Sequence, residues 1–178
     1  MKNFIAKFID IMIGVVLGLG FQWWPDLRSP WQYVAFLFFY VDIIDYWIDY
    51  GPSLRKFPPK REYDVVIDVA IAFAIFLCIF STKLTVSNFL ISYGVFTVLD
   101  LIFQLRIRKE YPSIQGNDKS FVATWIYIDA IIIAICGALI ALSYSGALTP
   151  LIIISVFIAI KIVLRIYAST QYKKIYFS

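Results

Sequence analysis

The chain has 178 residues, of which 61% are hydrophobic and 19% aromatic, with a net charge of +4 and no histidine. A soluble domain is usually about 45–50% apolar, so this composition predicts an integral membrane protein with a single transmembrane domain, 1–178. Without histidine the chain lacks the commonest general base and metal ligand, and its short, scattered basic stretches exclude nucleic-acid recognition. We therefore expect no enzyme activity, no metal site and no cofactor.

Six segments are long and apolar enough to cross a bilayer, since about 20 helical residues span the hydrocarbon. In chain order they are predicted near 4–23, 31–52, 64–81, 86–105, 120–143 and 149–168. Prolines and interfacial tryptophans separate them, as at Trp24-Pro25 and Pro30-Trp31. The predicted fold class is therefore all-α, with six transmembrane helices.

Basic residues are concentrated on one side of this layout. They begin the first span and follow the second, fourth and sixth: Lys2, Lys7, Arg55, Lys56, Lys60, Arg61, Arg106, Arg108, Lys109, Lys119, Lys173 and Lys174. The other side holds only Arg28 and Lys83. By the positive-inside rule, we expect a multi-pass protein of the plasma (inner) membrane with both termini in the cytoplasm.

The sequence also contains a faint internal repeat. An acid lies near the start of each odd-numbered span (Asp10, Asp68 and Asp129), and the even-numbered spans end in basic or aromatic tails. Three hairpin repeats of roughly sixty residues would produce this pattern.

The second span carries three carboxylates on one helical stripe. Asp42, Asp45 and Asp49 are spaced at i, i+3 and i+7, which places them on one face of a helix. A charged side chain near the bilayer centre costs roughly 2.5–3.5 kcal/mol on insertion scales. That face must therefore point at other protein, a cation or water.

Acidic residues outnumber basic ones inside the predicted spans. Six acids from five helices are expected in the cytoplasmic half of the membrane: Asp10, Asp42, Asp45, Asp68, Asp100 and Asp129. Only Lys161 and Arg165, on one face of the sixth helix, oppose them within the spans. Structural ion pairs are one interpretation. The excess of acids favours a proton carrier, a pore mouth or a cation site.

The first span has a narrow stripe of small and polar residues. Asp10, Gly14, Gly18 and Gln22 recur every four positions, and such glycine spacing lets helices pack closely. The neighbouring apolar stripe contains Ile11, Val15 and Leu19. If several copies met on an axis, Val15 and Leu19 would form a hydrophobic constriction.

The start of the first span is Lys7-Phe8-Ile9-Asp10, followed by an apolar run. With the rhythm of the second span from Pro30 to Arg55, and of the fourth from Tyr93 to Arg106, it resembles the bacterial TMEM175-type family of six-span potassium channels. The first helix of that family carries Phe-Ser-Asp behind a basic residue.

The match has departures. Ile9 replaces the motif serine, Phe4 replaces the family's arginine, and Asp49-Tyr50-Gly51 lies where members often have histidines. The resemblance implies a tetramer with the first helices around the axis and with Val15 and Leu19 at the constriction.

We therefore expect an oligomeric, potassium-like cation channel or leak pathway in the lipid bilayer, with its acidic cluster on the cytoplasmic side. One alternative is a small solute transporter, or the substrate-binding subunit of one, with Asp42, Asp45 and Lys161 as midplane ligands. A second alternative is a membrane sensor or effector whose basic loops bind anionic lipid or a partner.

Overall fold

The computed structural model describes residues 2–172, with side chains from Lys7 onward. It contains six α-helices: α1 (Lys2–Gly20), α2 (Pro30–Lys56), α3 (Glu62–Ser81), α4 (Val86–Glu110), α5 (Gly116–Tyr144) and α6 (Pro150–Gln171). A 3₁₀ helix, Phe21–Asp26, follows α1. Over residues 2–172 there is no strand, as the all-α prediction requires.

Five of these segments are long and apolar enough to cross a membrane: Lys7–Asp26, Glu62–Ser81, Val86–Glu110, Gly116–Tyr144 and Pro150–Gln171. The protein is therefore a multi-pass helical membrane protein. Helix α2 is long enough, but Asp42, Asp45 and Asp49 interrupt its hydrophobic sequence. A sixth span, and the orientation of the termini, stay predictions.

Several helices extend beyond the bounds predicted from sequence. Helix α2 continues through Pro52 to Lys56, although proline usually breaks a helix. The Ser53 hydroxyl donates to the carbonyl of Asp49, 2.8 Å away. This backbone carbonyl near the proline therefore has a hydrogen-bond partner. Helices α4 and α5 also project further into their connecting loop than the sequence predicted.

Helix α4 packs most widely, against α5 on one side and α3 on the other. Its Tyr93 ring lies at the centre of an aromatic core, 4.8 Å from the ring centroid of Phe157 on α6 and 5.8 Å from that of Phe39 on α2. The closest association, α4 with α5, joins two different predicted hairpins. The three-hairpin repeat stays a prediction.

Helix α1 lies at one edge of the bundle, against α3 and α2. The Tyr40 hydroxyl donates to the carbonyl of Leu17 at 2.8 Å. A side chain at Gly20 would collide with the Tyr40 hydroxyl and with Ile79. Glycine at this position therefore allows the end of α1 to approach α2 and α3 closely.

Helices α2, α4 and α6 end where α3 and α5 begin, and we call this end of the bundle the basic end. Lys56 Nζ lies 2.9 Å from Asp118 Oδ1, and Lys60 Nζ donates to the carbonyl of Glu110 at 2.6 Å. At the opposite end, Lys83 pairs with Asp26 at 3.4 Å. The predicted basic residues Lys173 and Lys174, and the side chain of Lys2, lie outside the described part of the chain.

Candidate functional site

The acidic stripe of α2 faces the basic stripe of α6. Arg165 Nη2 donates to Asp45 Oδ1 at 2.7 Å, and its Nε lies 2.5 Å from Asp45 Oδ2. Arg165 Nη1 donates to Asp49 Oδ2 at 2.8 Å. One guanidinium group therefore holds two carboxylates one turn apart, using the planar fork of donors that arginine provides.

A tyrosine just beyond α6 completes this contact. The Tyr172 hydroxyl donates to Asp49 Oδ2 at 3.0 Å and accepts from Trp125 Nε1 at 3.0 Å. Burial, reinforced by the negative charge of Asp49, raises the pKa of Tyr172 above its usual value, so the hydroxyl stays protonated. It can therefore serve as a permanent donor to Asp49.

Asp42 has two partners near the middle of the bundle. Its Oδ2 accepts from the Tyr93 hydroxyl at 2.6 Å, and its Oδ1 lies 3.4 Å from Lys161 Nζ. The same ammonium group lies 5.2 Å from the centre of the Tyr93 ring. Asp42 is thus neutralised within the protomer, as is usual for a charge inside a membrane protein.

Asp100 on α4 and Asp129 on α5 are arranged differently. Both are buried, at 4% and 3% exposure, and both side chains line the same small cavity. Asp100 accepts from the Tyr46 hydroxyl at 3.1 Å, whereas Asp129 Oδ2 lacks a hydrogen-bond partner among the described side chains. Over the same part of the chain, neither aspartate belongs to an ion pair. Because both side chains line one small cavity, a negative charge on either raises the cost of a charge on the other.

These groups line a cavity of about 30 Å³ between α2, α4, α5 and α6, which includes Asp42, Asp45, Asp100, Asp129, Lys161 and Arg165. A cleft of about 600 Å³ lies on the outside of the bundle between α2 and α6. Asp42, Asp45, Lys161 and Arg165 line both spaces. The ion pairs therefore form a wall between the inner cavity and the outer cleft.

Asp68 lies closer to the basic end, apart from this cavity. Its Oδ1 accepts from the Tyr50 hydroxyl at 3.0 Å, and its Oδ2 lies 4.0 Å from Arg106 Nη1. Arg106 itself is buried and donates to the carbonyl of Phe57 at 3.5 Å. The sequence predicted that Arg106 lies in a loop, but it lies inside α4 and is a third embedded base.

The loops at the basic end close over this network. The Tyr111 hydroxyl donates to the carbonyl of Pro58 at 2.7 Å, and Lys60 Nζ lies 3.9 Å from the centre of the Tyr111 ring. Burial, assisted by the adjacent Glu110, raises the pKa of Tyr111, so its hydroxyl stays a donor. The connection between α2 and α3 is thereby fixed to the end of α4.

The predicted acids do not all converge. Asp42, Asp45, Asp100 and Asp129 line one cavity, whereas Asp68 joins the network of Arg106, and Asp10 lines neither space. Asp42, Asp45 and Asp68 are in ion pairs. Of the six predicted acids, the buried ones that lack a basic partner among the described side chains are Asp100 and Asp129. The excess of negative charge is therefore smaller and more localised than the sequence suggested.

The predicted pore residues of α1 lie at the edge of the bundle, away from the acidic cavity. Val15 and Leu19 are about half exposed and line a groove of about 330 Å³ with α3. A Cβ atom added at Gly14 or Gly18 would meet no described group within 4 Å, and Gln22 is exposed. Since no helix of the described chain covers this glycine face, a constriction would require several copies.

Sequence reasoning missed the tyrosines that bind the acids. Tyr46, Tyr50, Tyr93 and Tyr172 donate to Asp100, Asp68, Asp42 and Asp49, respectively. The only signal in the sequence was the spacing of Tyr46 and Tyr50 at i and i+4 beside the acidic stripe, and aromatic residues are too common in this chain for that spacing to single them out.

Comparison with protein-family models, with curated proteins and with solved structures found no match to this chain. Its class is therefore defined by its own helices and buried groups. It is a multi-pass helical membrane protein with a pair of carboxyl groups enclosed between its spanning helices.

Proposed function

We propose that the protein moves protons across the membrane and that Asp100 and Asp129 form its proton-binding site. The observation that carries this proposal is that these two buried carboxyl groups line the same small cavity. Two adjacent carboxylates cannot both be charged at low cost in an apolar interior, so the pair retains a proton and can exchange it. The proposal keeps the cation preference expected from the sequence but locates the ion inside one protomer.

The size of the cavity favours a proton over a hydrated metal ion. A volume of about 30 Å³ accommodates only about two or three water molecules, since one water needs roughly 10–15 Å³. Within residues 2–172 there is also no cluster of three acidic, cysteine or histidine side chains suited to a metal ion. Potassium conduction on an axis lined by α1, as the family resemblance implies, stays a separate prediction about an assembly of chains.

Lys161 gives the site its electrostatic control. It pairs with Asp42 and faces the same cavity as Asp100 and Asp129. A nearby positive charge stabilises the deprotonated form of the carboxyl pair. Movement of Lys161 toward the pair would therefore favour release of the proton, and movement away from the pair would favour its retention.

The cleft between α2 and α6 favours a second candidate, a proton-coupled carrier of a small amphiphilic solute. The volume of this cleft, about 600 Å³, lies within the range of roughly 300–1,000 Å³ that is usual for ligand sites. Its wall is mostly apolar but includes Asp42, Asp45, Lys161 and Arg165, which also line the inner cavity. A solute with an apolar body and a charged group would match this lining.

The test is proton flux into liposomes containing the purified protein, followed with an internal pH dye while an ionophore holds the membrane potential. We expect Asp100→Asn and Asp129→Asn to reduce the flux by at least about tenfold, because each removes a site that exchanges protons. Asp118→Asn is the matched control, since Asp118 pairs with Lys56 near the surface of the basic end. Equal flux in all three variants, or potassium flux without proton flux, would overturn the proposal.

A further inference from the structure

A row of hydrogen-bonding side chains leads from Asp100 toward the basic end. Tyr46 donates to Asp100 at 3.1 Å, and Tyr50 donates to Asp68 at 3.0 Å. The two tyrosines are one turn apart on α2 and their rings stack with centroids 5.1 Å apart, as the i, i+4 spacing allows. Helix α2 therefore links an acid on α4 to an acid on α3.

A small space lies beside Tyr46 and Tyr50. Tyr46, Tyr50, Asp100 and Gln104 line a cavity of about 10 Å³ together with Asp49, Phe121 and Trp125. That volume is close to what one water molecule requires. Gln104 is 3% exposed, and its Oε1 has no hydrogen-bond partner in the described part of the chain. A buried acceptor of this kind is normally satisfied by an ordered water molecule.

Beyond Asp68, buried polar atoms that lack a hydrogen-bond partner continue to the end of the bundle, although Asp68 and Glu110 also form ion pairs of 4.0 Å. Within the described residues, Asp68 Oδ2, Asp64 Oδ1 and Arg106 Nε are buried without a hydrogen-bond partner, as are both carboxylate oxygens of Glu110. Asp64 lies in the first turn of α3, and Glu110 is the last residue of α4. Since buried polar groups are seldom left unsatisfied, these atoms indicate a hydrated region that reaches the basic end.

We propose that this row of side chains is the route by which protons pass between the Asp100–Asp129 pair and the basic end. Asp68 is the exchange site nearer the surface. This route rests on the proposed proton-binding role of the pair. It adds the path by which protons reach that pair. Asp100 precedes Glu110 by ten positions, about 15 Å of helix, so direct access from that end requires such a relay.

In one transfer each tyrosine gives up one proton and takes up another, so both tyrosines end in their starting state. Toward the site, Tyr46 gives its hydroxyl proton to the Asp100 carboxylate and takes one from the water beside Gln104. That water takes a proton from Tyr50, which takes one from the protonated Asp68. Asp68 is then reprotonated from the hydrated region, where Arg106 of α4 and Asp64 of its own helix also face it.

The sharpest variant is Tyr50→Phe, which removes one hydroxyl and keeps the ring that stacks on Tyr46. Tyr33→Phe is the matched control, because it also removes a tyrosine hydroxyl bonded at 2.8 Å, here to the carbonyl of Leu27. We expect proton flux through Tyr50→Phe to fall by at least about tenfold relative to Tyr33→Phe. Asp68→Asn should match Tyr50→Phe.

A second measurement separates the route from the site. Infrared spectroscopy of the protein in H₂O and D₂O follows hydrogen exchange at the protonated carboxyl pair. Tyr50→Phe should slow this exchange yet leave the carboxyl band present, whereas Asp100→Asn should remove or shift the band. Normal flux and normal exchange in Tyr50→Phe, with flux lost in Asp100→Asn, would overturn the route and leave the proposed function standing. A wild-type protein without proton flux would overturn both.

Discussion

Arg165 on α6 and Asp45 on α2 form a two-pronged contact, at 2.7 Å and 2.5 Å, across 120 positions of the chain. The same guanidinium group also binds Asp49 at 2.8 Å. This contact fixes the two helices that form the wall between the inner cavity and the outer cleft. Its strength therefore bears on both the stability and the proposed activity of the protein.

We predict that Arg165→Met destabilises the protein by about 1–3 kcal/mol, the usual cost of removing the hydrogen-bond partner of a buried group, because the side chain of Asp45 is 35% exposed. Thermal unfolding in detergent should show a clear fall in Tm. Lys56→Met is the control, because its ion pair with Asp118 is partly exposed and such pairs contribute less than about 1 kcal/mol. Equal Tm values for the two variants would contradict the structural role of Arg165.

Glycines at two places on α1 should respond in opposite ways to alanine. Gly20→Ala should cost about 1–3 kcal/mol by overpacking, since its new methyl group would collide with Tyr40 and Ile79. Gly14→Ala has open space around it and should be neutral, or stabilising by up to about 1 kcal/mol, because alanine favours helix. Thermal unfolding of both variants provides the test, and a destabilised Gly14→Ala would reveal a neighbour supplied by another chain.

The orientation predicted from the basic residues can be tested with single cysteines. Cys78 and Cys136 are buried, so the parent chain should react little with a membrane-impermeant maleimide. We expect Ser145→Cys to be labelled on intact cells and Lys109→Cys only after the cells are opened, since the basic end should face the cytoplasm. The reverse pattern would place the termini outside.

Assembly through α1 is predicted by the family resemblance and can be tested by cross-linking. Val15 is 53% exposed on the outer face of α1, and an axis lined by α1 would bring copies of it together. We expect Val15→Cys to form disulfide-linked dimers in oxidised membranes. Val66→Cys, on α3 and 65% exposed, should remain monomeric. Cross-linking of the α3 variant alone would place the contact between copies elsewhere.

Helical spacing predicted part of the site. It placed Asp42 and Asp45 on one stripe of α2 and Lys161 and Arg165 on one stripe of α6, and the structure brings these stripes together. The fold class followed from composition, because long apolar segments leave few alternatives to membrane helices. The predicted function of these residues stays a prediction.

The remaining contacts depend on packing between distant helices, which periodicity does not specify. No pattern of residues indicated that Asp100 would lie next to Asp129, since that contact follows from the close packing of α4 on α5. The sequence predicts that the fourth span ends at residue 105 and that Arg106 lies in a loop, whereas α4 continues to Glu110. A shift of one turn in a helix end thus changed a surface charge into a buried one.

The bond between Arg165 and the carboxylates of α2 also has a consequence for biogenesis. Helix α2 leaves the ribosome long before α6 exists, and its three aspartates then lack their basic partners Lys161 and Arg165. Stable insertion of α2 should therefore wait until α6 has been synthesised. A chain truncated before Pro150 should leave α2 accessible to added protease in isolated membranes, whereas the full-length chain should protect it.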